Sequence, residues 1–434
     1  MKCYKLKEIT GSETLKKRAE LEIDTILSDV RVIIQAVKEK GDDAVLDYTN
    51  RFDSDVITKD ELRVTSSEIA EAKGMLDTAV FHALEHAAAN IRKFHEAQVP
   101  KRIWFTEIDD GILAGEKITP INDVGLYVPG GKGLFPSVML MLGIPASVAG
   151  VREIIVCTPP KADGTIDPAL LAAADICGIR DIFKVGGAQA IAAMAYGTRT
   201  IPKVSKIVGP GSGYIAAAKR VLYGVVDVGL PAGPSEAIIL ADESAEPAIA
   251  ASDLLIEAEH GPDSAALLVT NSERLASAVQ ERIPAILEKI PEWRRRNCET
   301  VLSKFGGIIV AESIEESIDF INDYAPEHLE ILVRDPFAVL QKINNAGEIL
   351  VGRYTPISAG NYAIGHNAIL PTGGFAKTYS SVSVFDFLKR SAIGYVTADG
   401  FTKLANTVET LAEYEQFYTH AYAIKQRRKE RSDG

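Results

Sequence analysis

The sequence predicts an α/β protein, two Rossmann-like modules with helical N-terminal and C-terminal segments. Three observations carry this. Short β-branched runs alternate with Ala-rich helical stretches between residues 124 and 351. Several of these runs end in Gly-rich turns that open a helix, the strand–loop–helix signature of a parallel sheet. The flanks, residues 12–98 and 383–428, carry apolar residues at helical spacing.

The elements follow in order. Residues 21–37 and 66–97 have helical periodicity, and Pro100 ends it. A first strand at 124–128 runs into P-G-G-K-G at 129–133, and a second at 153–157 into T-P-P, with a helix at 167–176 behind it. The run 183–185 leads through G-G-A-Q at 186–189 into a helix at 190–195. The run 206–208 leads through G-P-G-S-G at 209–213 into a helix ending at Leu222. A second set of strands is expected at 236–240, 266–269, 307–310, 330–333 and 349–351. Helices at 247–259, 273–288, 313–323 and 336–345 separate them. Residues 384–390 and 402–428 read as final helices, punctuated at Gly400. The domain expectation has four parts. Residues 1–25 form an N-terminal arm, and 26–125 plus 236–382 a first α/β domain. Residues 126–235 form an inserted Rossmann-like domain, and 383–434 a C-terminal helical tail.

A chain of 434 residues exceeds one ordinary core. Its net charge of -12 argues against broad binding to nucleic acid or an anionic membrane. The basic cluster at 425–431 reads as a solvated helix tail. Cys3, Cys157, Cys177 and Cys298 form no C-x-x-C pair and show no metal spacing, which fits a reducing cytoplasm. The N-terminus lacks the apolar core of a signal peptide. The longest apolar stretch, 135–151, is broken by Pro136, Gly143, Pro145 and Gly150, so it cannot span a bilayer. A soluble cytoplasmic protein is expected.

Three Gly-rich turns follow three strands of one module. Such turns let a backbone approach a ligand and aim free N–H groups at an anion. The G-x-G-x-x-G fingerprint is absent. A single turn of this kind is equally a plain tight connection; three together favour a nucleotide. Glu257 and His260, at i and i+3, share one helix face and could chelate a cation, although such a pair alone also fits a helix C-terminus. Glu327 and His328 are neighbours between a helix and a strand. They suit acid–base work, yet alone they also fit an exposed polar loop. Glu415 and His420 lie five residues apart on the last helical stretch, about 500° around the axis and so on different faces. His366 stands in a Gly-rich loop with no defined reading. His82, His86 and His95 fall on N-terminal helices and are given no role.

Read together, the motifs are those of a known family. G-L-Y-V-P-G-G at 125–131, G-G-A-Q-A-I at 186–191, A-Y-G-T at 195–198 and K-I-V-G-P-G at 206–211 resemble histidinol dehydrogenase. So do L-P-A-G-P-S-E at 230–236, A-E-H-G-P-D at 258–263, A-P-E-H-L at 325–329 and L-P-T at 370–372. The resemblance covers nearly the whole chain in order and spacing. It implies NAD at Tyr127, Gln189 and Ser212. It implies a catalytic pair, Glu327 and His328. Substrate contacts follow at Ser235, Glu257, His260, His328, Asn361, Glu415 and His420. Zn2+, one per subunit, is implied at Glu257, His260, Asn361 and His420. In this family the C-terminal tail reaches into the other subunit, which implies an intertwined homodimer. The implied reaction is the oxidation of a small-molecule alcohol to an acid by two hydride transfers, with L-histidinol and L-histidine as the pair.

Four positions depart from the family pattern. Its zinc-ligating Gln is Glu257 and its zinc-ligating Asp is Asn361, so one carboxylate and one carboxamide persist and a cation site is expected to survive. Its Asn in the G-P-G-N turn is Ser212. Its N-H pair before L-P-T is Asn367-Ala368, which removes an imidazole, while His366 stands two residues earlier. These changes leave two rivals open. One is a paralogue oxidising another small polar alcohol such as a sulfonated diol. The other is a non-catalytic binding protein on the same fold.

Overall fold

The computed structural model describes residues 1–9, 23–130 and 133–433, with side chains to residue 430. The expected start of helix at residue 12, most of the arm over 1–25, and Gly131 of the first Gly-rich turn lie wholly or partly outside these residues. The chain divides into two compact units. One comprises residues 1–99 and 121–387; the other comprises 100–120 and 388–434.

The first unit holds two parallel sheets. In the larger, β1 (Cys3–Lys5), β10 (Gly306–Val310), β9 (Ala265–Thr270), β8 (Glu236–Ala241), β11 (His328–Leu332) and β12 (Glu348–Val351) lie side by side in that order. Every pairing is parallel. In the smaller, the order is β6 (Asp181–Lys184), β5 (Glu153–Thr158), β4 (Asp123–Tyr127) and β7 (Lys206–Val208), again all parallel. Strands covered on both faces read as unbroken apolar runs, as A-I-I-L-A and A-A-L-L-V do in β8 and β9.

Alternation along each strand decides which layer a residue joins. Leu126, Val156 and Ile182 face helices Thr78–Ala97, Pro136–Ala149 and Pro168–Ile176. Tyr127, Ile155 and Phe183 face helices Ile23–Lys40, Gly187–Tyr196 and Gly213–Leu222. The N-terminal helices therefore pack on the smaller sheet, not beside the later strands with which the sequence had grouped them. In the larger sheet Ile239, Leu268, Leu332 and Leu350 face a layer containing Ala250, Leu255, Ala258 and Ile357. This layer matters below, because His328, Glu330 and Leu332 share that face of β11.

Several sequence expectations are corrected. Residues 54–65 are not α-helical. They hold a 3-10 turn at Lys59–Glu61, and residues 62–64 then run beside β6, where Val64 N–H donates to Ile182 O at 2.9 Å and Lys184 N–H to Leu62 O at 2.8 Å. The strand expected at 330–333 begins at His328. The stretch 247–259 is a helix, Pro247–Asp253, followed by a separate 3-10 turn at Glu257–Glu259. A helix at Glu292–Lys304 was missed.

The second unit holds a three-stranded antiparallel sheet of β13 (Leu388–Val396), β3 (Ile112–Pro120) and β2 (Ile103–Asp109). None of these strands was expected, and 388–390 had been assigned to a helix. The final helical stretch is two helices, Ala398–Tyr414 and Tyr418–Asp433. The break falls at Gln416, whose φ of 63° is left-handed, and no Gly or Pro marks it. Gly400 does not interrupt helix: it lies in the first turn, donating its N–H to the Thr397 cap at 3.1 Å. β2 is exposed along its whole length, with Ile103, Trp104, Phe105 and Ile108 uncovered. Among the described residues no helix is long and apolar enough to cross a membrane.

Candidate active site

The site is built on the start of β11. Helix Ile314–Tyr324 ends at Ala325, which is left-handed at φ 52° and returns its N–H to Ile321 O at 2.8 Å. Pro326 then fixes the turn, and Glu327 and His328 enter the sheet between β8 and β12. The register sets His328 opposite Glu348.

That pairing fixes the imidazole. His328 Nδ1 lies 2.5 Å from Glu348 Oε1, and Glu348 Oε2 lies 2.5 Å from His366 Nε2. Glu348 is buried, so one carboxylate bridges two rings away from water. A carboxylate only accepts, so His328 carries its proton on Nδ1 and turns Nε2 the other way. Nε2 faces Glu327 Oε2 at 3.8 Å and Glu257 Oε1 at 3.9 Å. Burial alone would lower the His328 pKa; the carboxylates of Glu257, Glu348 and Glu327 outweigh it and push the value up to about 10. Burial would raise Glu348, but His328 and His366 pull it down to about 2. Glu327 is raised well above the usual carboxylate range by burial and by Glu257, against the pull of His328. Its Oε2 accepts the Glu236 backbone N–H at 2.8 Å.

The 3-10 turn at Glu257–Glu259 brings the i, i+3 pair together, as the spacing predicted. Glu257 Oε2 lies 3.3 Å from His260 Nδ1, and Ser235 Oγ lies 3.2 Å from the same nitrogen. Asn361 Nδ2 donates to Glu257 Oε1 at 3.0 Å. The two positions that exchanged carboxylate for carboxamide thus touch. Glu257 is fully buried, and its Oε2 accepts no hydrogen bond in the described structure. A bare buried carboxylate oxygen next to imidazole and carboxamide donors is an N/O set that fits a divalent cation. Among the described residues no three His, Cys, Asp or Glu side chains converge as a complete cage, so such a cation needs a further donor. On the same face of β11 as His328, Glu330 is fully buried and neither of its carboxyl oxygens has a hydrogen-bond partner in the described structure; burial and the Asp253 carboxylate push it up to about 9.

The Gly-rich turns lie at the carboxyl ends of β4, β6 and β7. Strand order reverses between β4 and β7, and open α/β sheets bind ligands outside such a point. Gly209, with φ 134°, passes so close to β4 that a Cβ there would stand 2.1 Å from Tyr127 O. Lys219, buried and lowered to about 8 by desolvation, donates to Gly209 O at 2.5 Å and pins the turn. Ser212 caps helix Gly213–Leu222 through its backbone alone. Tyr127 OH accepts Gly187 N–H at 3.3 Å. Gln189 is 1 % exposed, and neither end of its amide has a hydrogen-bond partner in the described structure. A buried bare amide beside a tight backbone cradle fits a polar cofactor such as NAD. A cleft of about 1370 Å³ is lined by Gly209, Gly211, Lys219, Pro234 and Glu236. It does not include the dyad itself and approaches it through Glu236.

The structure thus brings together Ser235, Glu257, His260, Glu327, His328 and Asn361, and separately Tyr127 with Gln189. Glu415 and His420 belong to the second unit, where Glu415 caps one helix and His420 opens the next. Glu348, His366 and Lys219 were missed. A Glu opening an apolar strand was the available signal for Glu348.

The sequence model of the family described as Histidinol dehydrogenase matches residues 16–428. The chain belongs to the histidinol dehydrogenase family. It is 54% identical to the histidinol dehydrogenase of Synechocystis sp. over 98% of both chains. It is 48% identical to a histidinol dehydrogenase homolog of Colwellia psychrerythraea, over 99% of this chain and 97% of that one. The crystal structure of histidinol dehydrogenase from Elizabethkingia anophelis superposes with a TM-score of 0.90 at 38% identity, covering 94% of this chain and 93% of the other. Histidinol dehydrogenases are NAD-dependent oxidoreductases, and the α/β architecture with parallel sheets is theirs.

Proposed function

We propose that the protein oxidises L-histidinol to L-histidine through the bound aldehyde, with two NAD per turnover. The convergence of Ser235, Glu257, His260 and Glu327 on His328, in a chain so close to named histidinol dehydrogenases, carries this reading. His328 Nε2 takes the hydroxyl proton, while Glu348 holds the ring in the tautomer that leaves Nε2 bare. Glu327, held protonated-prone by burial, is the second acid–base group and activates water against the aldehyde. NAD, held at Tyr127, Gln189 and Ser212 in a Rossmann-like module, supplies the hydride acceptor in both oxidations. Zinc would be held by Glu257, His260, Asn361 and His420 of the partner subunit, and would supply a fixed charge that orients the amino alcohol. Glu257 is one of the three carboxylates that hold His328 high, so neutralising its charge would lower the imidazole toward the range of a working base.

The substrate shell is completed by Ser235 and by Glu415 of the partner subunit. The homodimer is supported by the second unit itself. Trp104, Phe105, Tyr414, Phe417, Tyr418 and Tyr422 are all exposed there, more apolar surface than so small a unit leaves to water. A cytoplasmic location fits the thiols: Cys157, Cys177 and Cys298 are buried and unpaired.

The test counts NADH formed per L-histidinol by zinc-loaded protein. Two NADH per substrate is the expected result. NADH from another polar alcohol, with none from histidinol, would transfer the assignment to the paralogue. Ala368, which packs against Met141 where the family has an imidazole, is the observation behind that rival. The close match to named histidinol dehydrogenases weighs against it.

A further inference from the structure

Parallel sheets that bind a dinucleotide usually place an acidic residue at the end of the second strand, where it holds the ribose hydroxyls. Here the second strand of the smaller sheet, β5, ends in Cys157, Thr158, Pro159 and Pro160, with no acid among them. A carboxylate does reach that place, from outside the sheet. Asp53 follows helix Asp42–Phe52, and the chain then turns to run beside β6. Its side chain hangs over the ends of β5 and β6. A Cβ built on Gly186 would meet Pro159 Cβ at 2.6 Å and Asp53 Oδ2 at 3.0 Å. The Gly186 backbone N–H favours the charged form of this carboxyl, against burial. Its Oδ2 is buried without a hydrogen-bond partner in the described structure.

Three unmet polar functions therefore lie around one short turn: Asp53 Oδ2 and both ends of the Gln189 amide. The Tyr127 hydroxyl is close enough to Asp53 for the carboxylate's charge to act on it. Among the described residues no Lys or Arg acts on Asp53; burial dominates and pushes its pKa up to about 6. A bare carboxylate without a counter-cation suits neutral donors and opposes a second anion. A vicinal diol supplies such donors, and a phosphorylated ribose does not.

We propose that Asp53 is the cofactor-selecting residue: its free oxygen accepts hydroxyl hydrogens of a dinucleotide ribose and repels a phosphate at that position, so that NAD is taken and NADP refused. This rests on the reading that NAD binds at Tyr127 and Gln189. Asp53 is not a base in the oxidation. It acts on binding alone.

Equilibrium binding of NAD and of NADP, followed by calorimetry without substrate, tests it. Asp53→Asn keeps the shape and removes the charge; Asp53→Ala removes both, and thermal unfolding confirms that each variant is folded. Both variants should bind NAD about 10-fold or more weakly, and the NAD-to-NADP preference should shrink by a similar factor. Gln189→Ala separates the two layers of the reading. If it weakens NAD binding while the Asp53 variants keep the full preference for NAD, the role of Asp53 is wrong and the site stands. If neither Gln189→Ala nor the Asp53 variants alter NAD binding, the cofactor lies elsewhere and both fail.

Discussion

Replacing Glu348 probes the imidazole proposed as the base without altering His328 itself. In the wild-type protein His328 Nδ1 and His366 Nε2 both depend on this one buried carboxylate, at 2.5 Å each. Glu348→Ala leaves His328 without an orienting partner and free to adopt the tautomer with a protonated Nε2, which cannot act as a base. A hydrogen bond to a charged group contributes about 1.5–3 kcal/mol, so kcat should fall about 10- to 150-fold. Glu348→Gln keeps an acceptor but loses the charge, a difference of about 1 kcal/mol and about 5-fold in kcat. KM for the alcohol should move little in either, because Glu348 lies behind the imidazole and away from Ser235 and His260. Steady-state kinetics on folded, zinc-loaded variants reads both constants. A Glu348→Ala enzyme within threefold of wild-type kcat would refute the orienting role, as would a loss confined to KM.

Two more perturbations follow. Burial raises the carboxyl pKa values of Asp253 and Glu330 in the folded state. The folded protein then holds a proton that the unfolded chain releases in the ordinary carboxylate range. That stability is present below this range and is lost as pH rises from it through the raised folded value, about 9 for Glu330. Glu330→Gln keeps the shape and removes the raised carboxyl, so its urea midpoint should change less between about pH 5 and about pH 8 than that of the wild type; an unchanged slope would rule out Glu330 as its source. Glu257→Ala removes the only buried bare oxygen of the proposed donor set and should weaken zinc binding about 100-fold or more. Metal analysis after dialysis against a competing chelator reads this, and full retention of zinc would place the ion elsewhere.

The parallel sheets were legible because strands covered on both faces leave unbroken apolar runs, as in β8 and β9. The pair Glu257–His260 was legible because i, i+3 spacing survives the change from α-helix to 3-10 turn. Glu327 and His328 are legible as residues, but their setting is not: the sequence suggests a loop, and His328 instead begins β11, because register with Glu348 extends the strand two residues earlier than its β-branched run suggests. Glu348 acts across strands, and no local pattern reports a partner twenty residues away. Asp53 escaped for the same reason, since it serves a turn of another segment; Lys219 folds back ten residues onto the turn that opens its own helix, a reach that helical spacing does not report. The second unit was missed because its strands are exposed or amphipathic. The helix break at Gln416 carries no Gly or Pro to announce it.

Ala325 has a consequence for sequence drift. A left-handed backbone at a residue with a Cβ costs roughly 1 kcal/mol, and Ala325 is fully buried as well. Selection at this position therefore acts on backbone shape rather than on side-chain chemistry. Glycine would relieve the strain but widen the unfolded ensemble, and a β-branched residue would fit neither the dihedral nor the space. Two residues upstream of the proposed catalytic pair, the chain tolerates almost nothing, although Ala325 itself touches no reactant.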